Sequence, residues 1–496
     1  MKDYQTFIPL LGAKVDPEEY GVYPFSINMI EGGAVFMAKE EDHDIIVTVG
    51  DDYGFSGLEF ETEGCRCTAA PLTHGNAENL RKLFPFTAPI KVLGKERTMG
   101  VGDRLGIAGF GHIRVFQEFD IFPILAQQSI RELNLTQRTY KDVLDSATFA
   151  VFREGYRKGF GADGDHLKKV EEVKMALDLG FTMITLDCSE HMRNDAEQLP
   201  LDEVEAKHPL EAKLRDRYLN KSFQLEDGIV LTFDHESLVR MAAVYHGVLD
   251  FASSIYEAFF KDGTYVADFE ISIDETTTPT TPLQHFFVAN ELRERGVSFA
   301  TIAPRFCGEF QKGVDYIGDL KQFEEELIVH CAIARHFGYK LSLHSGSDKF
   351  SVFTAFGKHT HGRFHVKTAG TNWLEAMKLI AMVDPKLYRE IHAFALSKFS
   401  EVTKYYHVST DLSRIPNLAS LPDKELVNLF DNNDARQLIH ITYGPILSTK
   451  TPSGDYVFKD KLYGIWRQQE QLYSEMLYRH IGKHVKLLCK EVKTNY

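Results

Sequence analysis

The sequence predicts an α/β protein with a TIM-barrel-like (β/α)8 core, a small N-terminal α/β domain and a helical C-terminal region. The chain has 496 residues and is 44% hydrophobic, enough for a large core. Between about residues 96 and 415, short apolar runs alternate with polar turns and helix-period segments, as in parallel barrels. Several of these runs end in polar groups, as strands do at a barrel mouth. We therefore divide the chain into residues 1–95, 96–415 and 416–496.

The barrel strands are predicted from apolar runs that are bounded by turn residues. A barrel of this type needs about eight strands, so one candidate is in excess. The candidates are Leu105–Ala108, Phe122–Ala126, Phe149–Phe152, Phe181–Asp187, Val266–Ile271, Phe299–Ala303, Lys340–His344, Phe364–Lys367 and His407–Ser409.

The segments outside the barrel are predicted from the same patterns. Short strand-like runs such as Gly33–Met37 and Asp44–Val49 indicate the N-terminal domain. A charged insertion between Asp195 and Asp234 is long for a βα connection, and we expect a helical excursion that covers the barrel mouth. Near the C-terminus, 436–448 and 463–492 have the spacing of helices.

Composition excludes some classes of partner. The net charge is -15 and no dense Lys/Arg stripe occurs, which argues against a general nucleic-acid binder. No run of about 18 apolar residues predicts a membrane span. The six Cys lack the spacing of a zinc or redox motif, so we expect free thiols and a cytoplasmic protein. The oligomeric state is left open.

The motif LSLHSGSDKF, residues 341–350, indicates the centre of a metal site. A short apolar strand there delivers His344 into a polar, glycine-bearing loop. The motifs GFGADGDH and PRFCGEF add His166 and Glu309. Two imidazoles and one carboxylate suit Zn, Mn, Fe or Ni and leave coordination positions open for a substrate. These ligand types do not single out one of the four divalent cations.

Two further groups compete for a role in the site. The motif KHTHGRFH contains His359, His361 and His365, which are dense enough to resemble metal ligands. Asp187 also follows a strand, and a substrate-facing role suits it together with His191 and Arg193.

Alternation in VADFEISIDE, residues 266–275, places a row of polar groups on one face of a strand. Polar groups that point into a barrel are costly unless they bind something, whereas an edge strand would present them to solvent. A central barrel strand has no free edge, so we favour the inward orientation. The row consists of Asp268, Glu270, Ser272 and Asp274.

Several long motifs in one order resemble the tagaturonate epimerase family, which interconverts D-tagaturonate and D-fructuronate. They are FPILAQQS, GFGADGDH, FEISIDET, LSLHSGSDKFSV, FHVKTAGT and ARQLIHITYG, and the resemblance extends from about Thr98 to the C-terminus. It implies that Asp165 is the proton acceptor, Glu270 the proton donor, and His166, Glu309 and His344 the ligands of a divalent metal. The paired sugars differ at the hydroxyl carbon β to the ketone, which has no acidic C–H. We therefore expect retro-aldol cleavage and re-addition, with the two carboxylates in opposed roles. A redox route is the rival, but no dinucleotide fingerprint supports it.

A sugar-acid substrate also needs partners for its carboxylate and hydroxyl groups. Cations at or near strand ends are candidates for the carboxylate, and polar groups in AQQS are candidates for the hydroxyls, although each has an equally plain structural interpretation. The candidates are Arg305, Lys349 and Lys367 for the carboxylate and Gln127, Gln128 and Ser129 for the hydroxyls.

Two other functions compete with epimerisation. A metal-dependent aldolase or ketose isomerase could use the same site, and release of a free three-carbon product would distinguish the aldolase. A non-catalytic protein that binds sugar acids is the third hypothesis, but such a protein has no use for an acid–base pair.

Overall fold

The computed structural model of the chain describes residues 3–274 and 278–492. The last two residues of the FEISIDET motif therefore lie outside the described residues. The strands are β1 Asn28–Ile30, β2 Gly33–Lys39, β3 Asp44–Gly50, β4 Leu58–Thr62, β5 Cys65–Pro71, β6 Arg97–Gly102, β7 Phe122–Ser129, β8 Gly161–Leu167, β9 Met183–Asp187, β10 Ser222–Gln224, β11 Val230–Thr232, β12 Asp268–Ile273, β13 Thr301–Pro304, β14 Lys340–Leu343 and β15 Phe364–Ala369. The α-helices are α1 Asp3–Phe7, α2 His74–Leu83, α3 Gly109–Glu118, α4 Ile130–Thr136, α5 Tyr140–Arg153, α6 Val170–Asp178, α7 Leu201–Lys207, α8 Ala212–Tyr218, α9 His235–Phe259, α10 Pro282–Glu294, α11 Leu320–Phe337, α12 Phe350–His359, α13 Thr371–Val383, α14 Pro385–Val402, α15 Asn433–Ile441, α16 Tyr443–Ser448, α17 Lys459–Gln468 and α18 Glu470–Leu488.

A five-stranded antiparallel sheet occupies the N-terminal region, in the order β1-β2-β3-β5-β4. Its central strands β2 and β3 are apolar on both faces because the sheet is covered on both sides. One face packs on Tyr4 and Phe7 of α1. The other packs on α2 and on Phe152 near the end of α5, which joins the sheet to the barrel.

Eight strands close into a parallel barrel in the order β12-β13-β14-β15-β6-β7-β8-β9. Closure removes every free edge, so the polar face of β12 does point into the barrel. Glu270 lies beside Thr185 of β9 on one side and Thr301 of β13 on the other. At the other end of the barrel, the Lys340 ammonium donates to Lys95 O at 2.7 Å and to Thr98 Oγ1 at 2.9 Å. The predicted TIM-barrel-like fold is confirmed.

Three of the predicted strands are wrong. Phe149–Phe152 is the last turn of α5, which begins with a capping box between Thr139 and Asp142. Leu105–Ala108 precedes α3 without forming a strand, and His407–Ser409 is not in a strand either. A four-residue apolar run does not distinguish a buried helical turn from a strand, which explains the first error.

Two barrel strands are missing from the nine candidates because glycine breaks their apolar pattern. They are β6, with the sequence RTMGVG, and β8, with the sequence GADGDHL. A Cβ on Gly100 would lie 1.7 Å from Gln127 Oε1, and one on Gly164 would lie 2.9 Å from Leu167 Cδ1. Glycine is therefore required at these two positions, because side chains inside and outside the barrel wall approach the strand backbone closely.

The C-terminal helices were predicted with nearly correct extents. The segment 436–448 forms α15 and α16, and 463–492 forms most of α17 and all of α18. The charged insertion contains α7 and α8, as expected, and also the hairpin β10–β11. The three-domain division stays a prediction. No helix in residues 3–274 and 278–492 is both long and apolar enough to cross a membrane.

Candidate active site

A cavity of about 330 Å³ opens where the barrel strands end. Carboxyl ends of barrel strands converge on one mouth, so side chains from distant parts of the chain meet there. Its lining residues are Gln127, Ser129, Ile130, Arg131, Glu132, Asp165, His166, Lys168, Lys169, Glu172, Asp187, Glu190, Asp274, Lys312, His344, Ser345, Lys367, Thr368 and Ala369.

The backbone at the cavity is in sparsely populated conformations. His166 has φ +53° and Ser345 has φ +49°, both in the left-handed region that favours glycine. The pairing between β8 and β9 also shifts register between Gly164 and Leu167. Such strain persists only where the surroundings hold it, and it concentrates at functional sites. The turn at His166 explains how Asp165 and His166, which are neighbours in sequence, can both face the cavity.

Two histidines and one carboxylate meet at the mouth. One ligand-type atom from each of His166, Asp274 and His344 lies within 4.8 Å of the others. The imidazole rings of His166 and His344 are 5.0 Å apart between centroids and inclined by 70°. His344 Nδ1 is 3.2 Å from Asp274 Oδ2. This cluster has the predicted ligand types, two imidazoles and one carboxylate, but its carboxylate is that of Asp274 rather than Glu309.

The contacts of the two imidazoles suit a divalent cation. Nδ1 of His166 and Nδ1 of His344 are buried, and neither has a hydrogen-bond partner among the described residues. His344 Nε2 is 2.7 Å from Glu270 Oε1. A carboxylate on the far nitrogen is the usual support of a metal-bound histidine, because it orients the ring and fixes the tautomer. The residues present therefore fit a divalent metal.

Without a cation, the surroundings favour a protonated His344. Burial alone would lower its pKa, but the carboxylates of Asp274 and Glu270 outweigh burial and raise the pKa to about 10. The Asp274 side chain is 16% exposed, and His344 lowers its pKa below the usual range. A cation between these groups would replace the proton as the positive charge.

Carboxylates are paired with basic groups in and below the cavity. The Lys367 ammonium lies among three of them, those of Asp163, Asp165 and Glu270. The carboxylates of Asp187 and Asp274 instead face the imidazoles of His166 and His344. Charges in a buried site are stable only when they are paired, so these two carboxylates would stabilise a cation held between the imidazoles.

Lys367 sits at the centre of the first three of these carboxylates. Its ammonium pairs with Asp165, lies 2.8 Å from Asp163 Oδ2 and is 3.6 Å from Glu270 Oε1. Burial would raise the pKa of Asp165, but the attraction of Lys367 and His166 outweighs it and lowers that pKa. Asp165 is therefore ionised at neutral pH and can accept a proton. Because three carboxylates surround Lys367, its pKa is raised despite burial.

Glu270 lies below the cavity and does not line it. It is 0% exposed, and Thr301 Oγ1 donates to its Oε2 at 2.6 Å. Burial would raise its pKa, but His344 and Lys367 reverse the shift and hold the pKa well below the ordinary value. In this structure Glu270 is an ionised carboxylate that contacts both His344 and Lys367.

Three of the predicted site residues lie elsewhere. Glu309 faces Arg305 at 3.9 Å and His407 at 3.6 Å, with its side chain 39% exposed. Neither Glu309 nor Arg305 lines the cavity. The Lys349 ammonium is buried and donates to three backbone carbonyls, those of Gln311, Val314 and Ser347. Lys349 therefore supports the loop after β14.

The polar groups of AQQS have different positions. Ser129 and Gln127 line the cavity, and Ser129 Oγ also accepts a hydrogen bond from Glu132 N at the start of α4. Gln128 is fully buried outside the lining, and neither polar atom of its amide has a hydrogen-bond partner among the described residues.

Of the rival groups, only Asp187 lines the cavity. His359 pairs with Glu324 at 2.6 Å, and His365 Nδ1 is 2.9 Å from Thr98 Oγ1 inside the barrel. Asp187 does line the cavity, 3.5 Å from His166 Nδ1. His191 instead stacks on Phe251, and the Arg193 guanidinium contacts His208.

Asp274 belongs to the polar row that the sequence predicts on β12, but alternation alone does not distinguish a metal ligand from the other members of the row. Glu270 and Asp274 are four residues apart and lie on the same side of the strand. Glu270 therefore contacts Nε2 of His344, while Asp274 contacts Nδ1. No local pattern marked Lys312, whose ammonium donates to Ser345 Oγ at 3.3 Å.

The closed barrel and the carboxylate-lined cavity at its mouth define a TIM-barrel enzyme. Residues 23–488 match the sequence profile of tagaturonate epimerase. A tagaturonate/fructuronate epimerase of Thermotoga maritima is 46% identical over 479 residues, which is 95% of this chain and 97% of that protein. Two crystal structures of a fructuronate-tagaturonate epimerase from Cohnella laeviribosi are similar to this chain. The complex with one glycerol has a TM-score of 0.93 at 48% identity, and the native form has 0.92 at 49%. Each alignment covers 98% of this chain and 99% of the other.

This chain belongs to the tagaturonate epimerase family, and it is an isomerase. The resemblance of the motifs is thereby confirmed.

Proposed function

We propose that this epimerase interconverts D-tagaturonate and D-fructuronate with the help of a divalent cation. The observation that carries the proposal is one cavity that joins the ionised Asp165 to the cluster of His166, Asp274 and His344. The two relatives named for this activity, each at least 46% identical over nearly the whole chain, support the choice of substrates.

The inversion proceeds by retro-aldol cleavage in this proposal. Asp165 takes the proton from the hydroxyl on the carbon β to the ketone. The bond between the α and β carbons then breaks, its electron pair forms an enediolate, and the β carbon becomes an aldehyde. The aldehyde turns, the carbon–carbon bond re-forms on its other face, and the new alkoxide takes up a proton.

Lys367 and Glu270 assist these proton transfers. The Lys367 ammonium stabilises the Asp165 carboxylate before the proton moves and is itself a donor to a nearby alkoxide. The proton-donor role that the resemblance implies for Glu270 stays a prediction. Its contacts with His344 and Lys367 support a positioning role, because it is buried, ionised and outside the cavity lining.

His166, Asp274 and His344 would hold the cation, with His344 oriented by Glu270. When bound, a divalent cation supplies Lewis-acid stabilisation of the negative charge that develops on substrate oxygens. Glu309 as the third ligand stays a prediction from the sequence and from the resemblance.

We propose Lys312 as the partner of the substrate carboxylate. Of the three cations that the sequence suggested, only Lys367 lines the cavity, and carboxylates already surround it. Lys312 lines the mouth, where it contacts Ser345 beside His344. Arg131, Lys168 and Lys169 line the same cavity, and Lys168 lies 3.6 Å from Asp187 and 3.5 Å from Glu190. A cytoplasmic location and the oligomeric state stay predictions.

The test is conversion of D-tagaturonate by protein stripped with a chelator and resupplied with single divalent metals. We expect activity to disappear on stripping and to return with metal. His344→Ala should reduce kcat at least about 100-fold, as loss of a metal ligand does. His359→Ala is the matched control, because His359 pairs with Glu324 away from the cavity and should leave the activity unchanged. Activity that ignores the chelator would remove the metal from the mechanism.

Turnover in D₂O tests the cleavage route separately. In a retro-aldol reaction the inverted carbon keeps its own hydrogen, so the product should carry no deuterium there. Deuterium at that carbon would replace the proposal with direct deprotonation. Accumulation of a free three-carbon aldehyde acid without epimer would favour the aldolase alternative.

A further inference from the structure

A second group of ligand-type side chains lies outside the cavity, between the loop after β14 and the C-terminal helix α18. One ligand-type atom from each of Asp348, His480 and His484 lies within 4.8 Å of the others. His480 and His484 are four residues apart, so they lie on the same face of α18, one turn apart. Neither the proposed reaction nor the cavity uses these residues.

Both imidazoles are oriented toward Asp348 through their other nitrogen. Nδ1 of His484 is 2.9 Å from the carbonyl oxygen of His480, and Nδ1 of His480 is 3.3 Å from Glu375 Oε1. A backbone carbonyl and a carboxylate are the two groups that most often support a metal-bound histidine. The supporting contacts leave the two Nε2 atoms facing Asp348.

Two atoms of the group are buried without a hydrogen bond. Asp348 Oδ1 and His480 Nε2 are 2.7 Å apart, yet neither has a hydrogen-bond partner among the described residues. The Asp348 side chain is 4% exposed. An ordinary imidazolium–carboxylate pair would align the N–H with the oxygen. Here the pair lacks that alignment, so both lone pairs are available to a third atom.

The remaining contacts are compatible with a cation. The Asp348 N–H donates to His484 Nε2 at 3.1 Å, which shows that this nitrogen carries the lone pair a ligand needs. A bound cation would replace that single hydrogen bond. Arg436 contacts the other carboxylate oxygen, Oδ2, at 2.8 Å. The carboxylates of Asp348 and Glu375 lie on either side of His480 and attract positive charge, so a bound cation would take the place of a proton on that imidazole.

We infer that Asp348 Oδ1, His480 Nε2 and His484 Nε2 form a second divalent-cation site, which joins helix α18 to the loop after β14. Two imidazoles and one carboxylate are the donor set of zinc and its neighbours among the transition metals. Asp348 has φ +61° and follows His344 by four residues in the same loop. A cation here would therefore hold the strained loop that carries a cavity residue, although it would not touch the substrate.

The test measures zinc after equilibrium dialysis, in a His166→Ala/His344→Ala background that removes both imidazoles of the cavity cluster. We expect this protein to keep one zinc per chain. Adding Asp348→Asn should weaken zinc binding at least 100-fold, and adding His484→Gln should do the same. His392→Gln is the matched control, because His392 is a buried histidine of α14 whose Nε2 has no hydrogen-bond partner among the described residues. The control should retain the zinc.

A background protein that is folded by circular dichroism and binds no zinc would overturn the inference. Equal zinc affinity in the Asp348→Asn and His392→Gln variants would overturn it as well. If the variants do not fold, the same question is put to the unsubstituted chain with Co²⁺. Two cobalt ions per chain, each with its own visible absorption band, support the site. A single ion whose band shifts when D-tagaturonate binds lies in the cavity and rejects the site, whereas a single ion whose band ignores the substrate supports it. Loss of epimerase activity neither supports nor rejects the second site. The inference is therefore tested independently of the proposed function.

Discussion

At the scale of single residues, Asp274 and Glu309 are the two candidates for the third metal ligand. Asp274 lies 3.2 Å from His344 Nδ1, whereas Glu309 faces Arg305 and His407. Both carboxylates follow barrel strands at the same end of the barrel, so the sequence pattern does not distinguish them. Distance in the folded chain separates them.

We predict that Asp274→Asn weakens divalent-metal binding by about 10- to 100-fold, because it removes a charged donor beside both histidines. Glu309→Gln is the matched variant and should leave the affinity within about threefold of the parent. Metal titration of stripped protein measures both. The reverse order of affinities would restore Glu309 as the ligand and would imply that its loop moves when metal binds.

At the scale of elements, helix α18 holds the barrel through close helix contacts. It packs against α3 and α12, and its last turn approaches α12 at Gly357. A Cβ on Gly357 would lie 1.8 Å from the carbonyl oxygen of Leu488, so only glycine permits this approach. The apolar spacing predicted α18, but the identity of its neighbours depends on the packed barrel.

Gly357→Ala should lower the free energy of unfolding by about 1–3 kcal/mol, because two helix backbones must separate to admit the methyl group. Gly482→Ala is the control on α18 itself, where nothing lies within 4 Å of the added Cβ. The control should be neutral or stabilising by up to about 1 kcal/mol, since alanine is the better helix former. Urea unfolding measures both changes. Equal effects of the two substitutions would contradict the close approach.

At the scale of the whole molecule, Arg153 joins the three predicted regions. From the end of α5 its guanidinium stacks on Tyr23 beside the N-terminal sheet at 3.9 Å. It also pairs with Glu470 of α18 at 2.5 Å and lies 3.8 Å from Asp44 of β3. A single cation, with its side chain 12% exposed, thus connects the sheet, the barrel and the C-terminal helix.

Arg153→Met should cost about 1–3 kcal/mol, because Glu470 would keep only Lys39, at 3.6 Å, as a charged partner in the described part of the chain. We expect the thermal transition to broaden or to split as the regions uncouple, and differential scanning calorimetry measures it. Arg479→Met is the surface control, since its guanidinium is 79% exposed and only 3.6 Å from Glu475. A sharp transition at the parent temperature in Arg153→Met would show that the regions do not depend on this contact.

The sequence by itself determined the parallel barrel, the helical C-terminal region, the two histidines and the polar row of β12. These features repeat along the chain with the period of strands and helices, or they lie in long contiguous motifs, so local pattern suffices to find them. Glycine-rich β8 and the apolar end of α5 show the limit of that method, because strand and helix cannot be distinguished from a few residues.

Only the tertiary structure decided which charges meet. Lys349 and Lys367 both follow or end barrel strands, yet one donates to backbone carbonyls and the other pairs with site carboxylates. Asp274 rather than Glu309 joins the two histidines for the same reason. Electrostatic interactions and metal coordination act over a few ångströms, and those distances follow from barrel register and loop conformation, which no local pattern encodes.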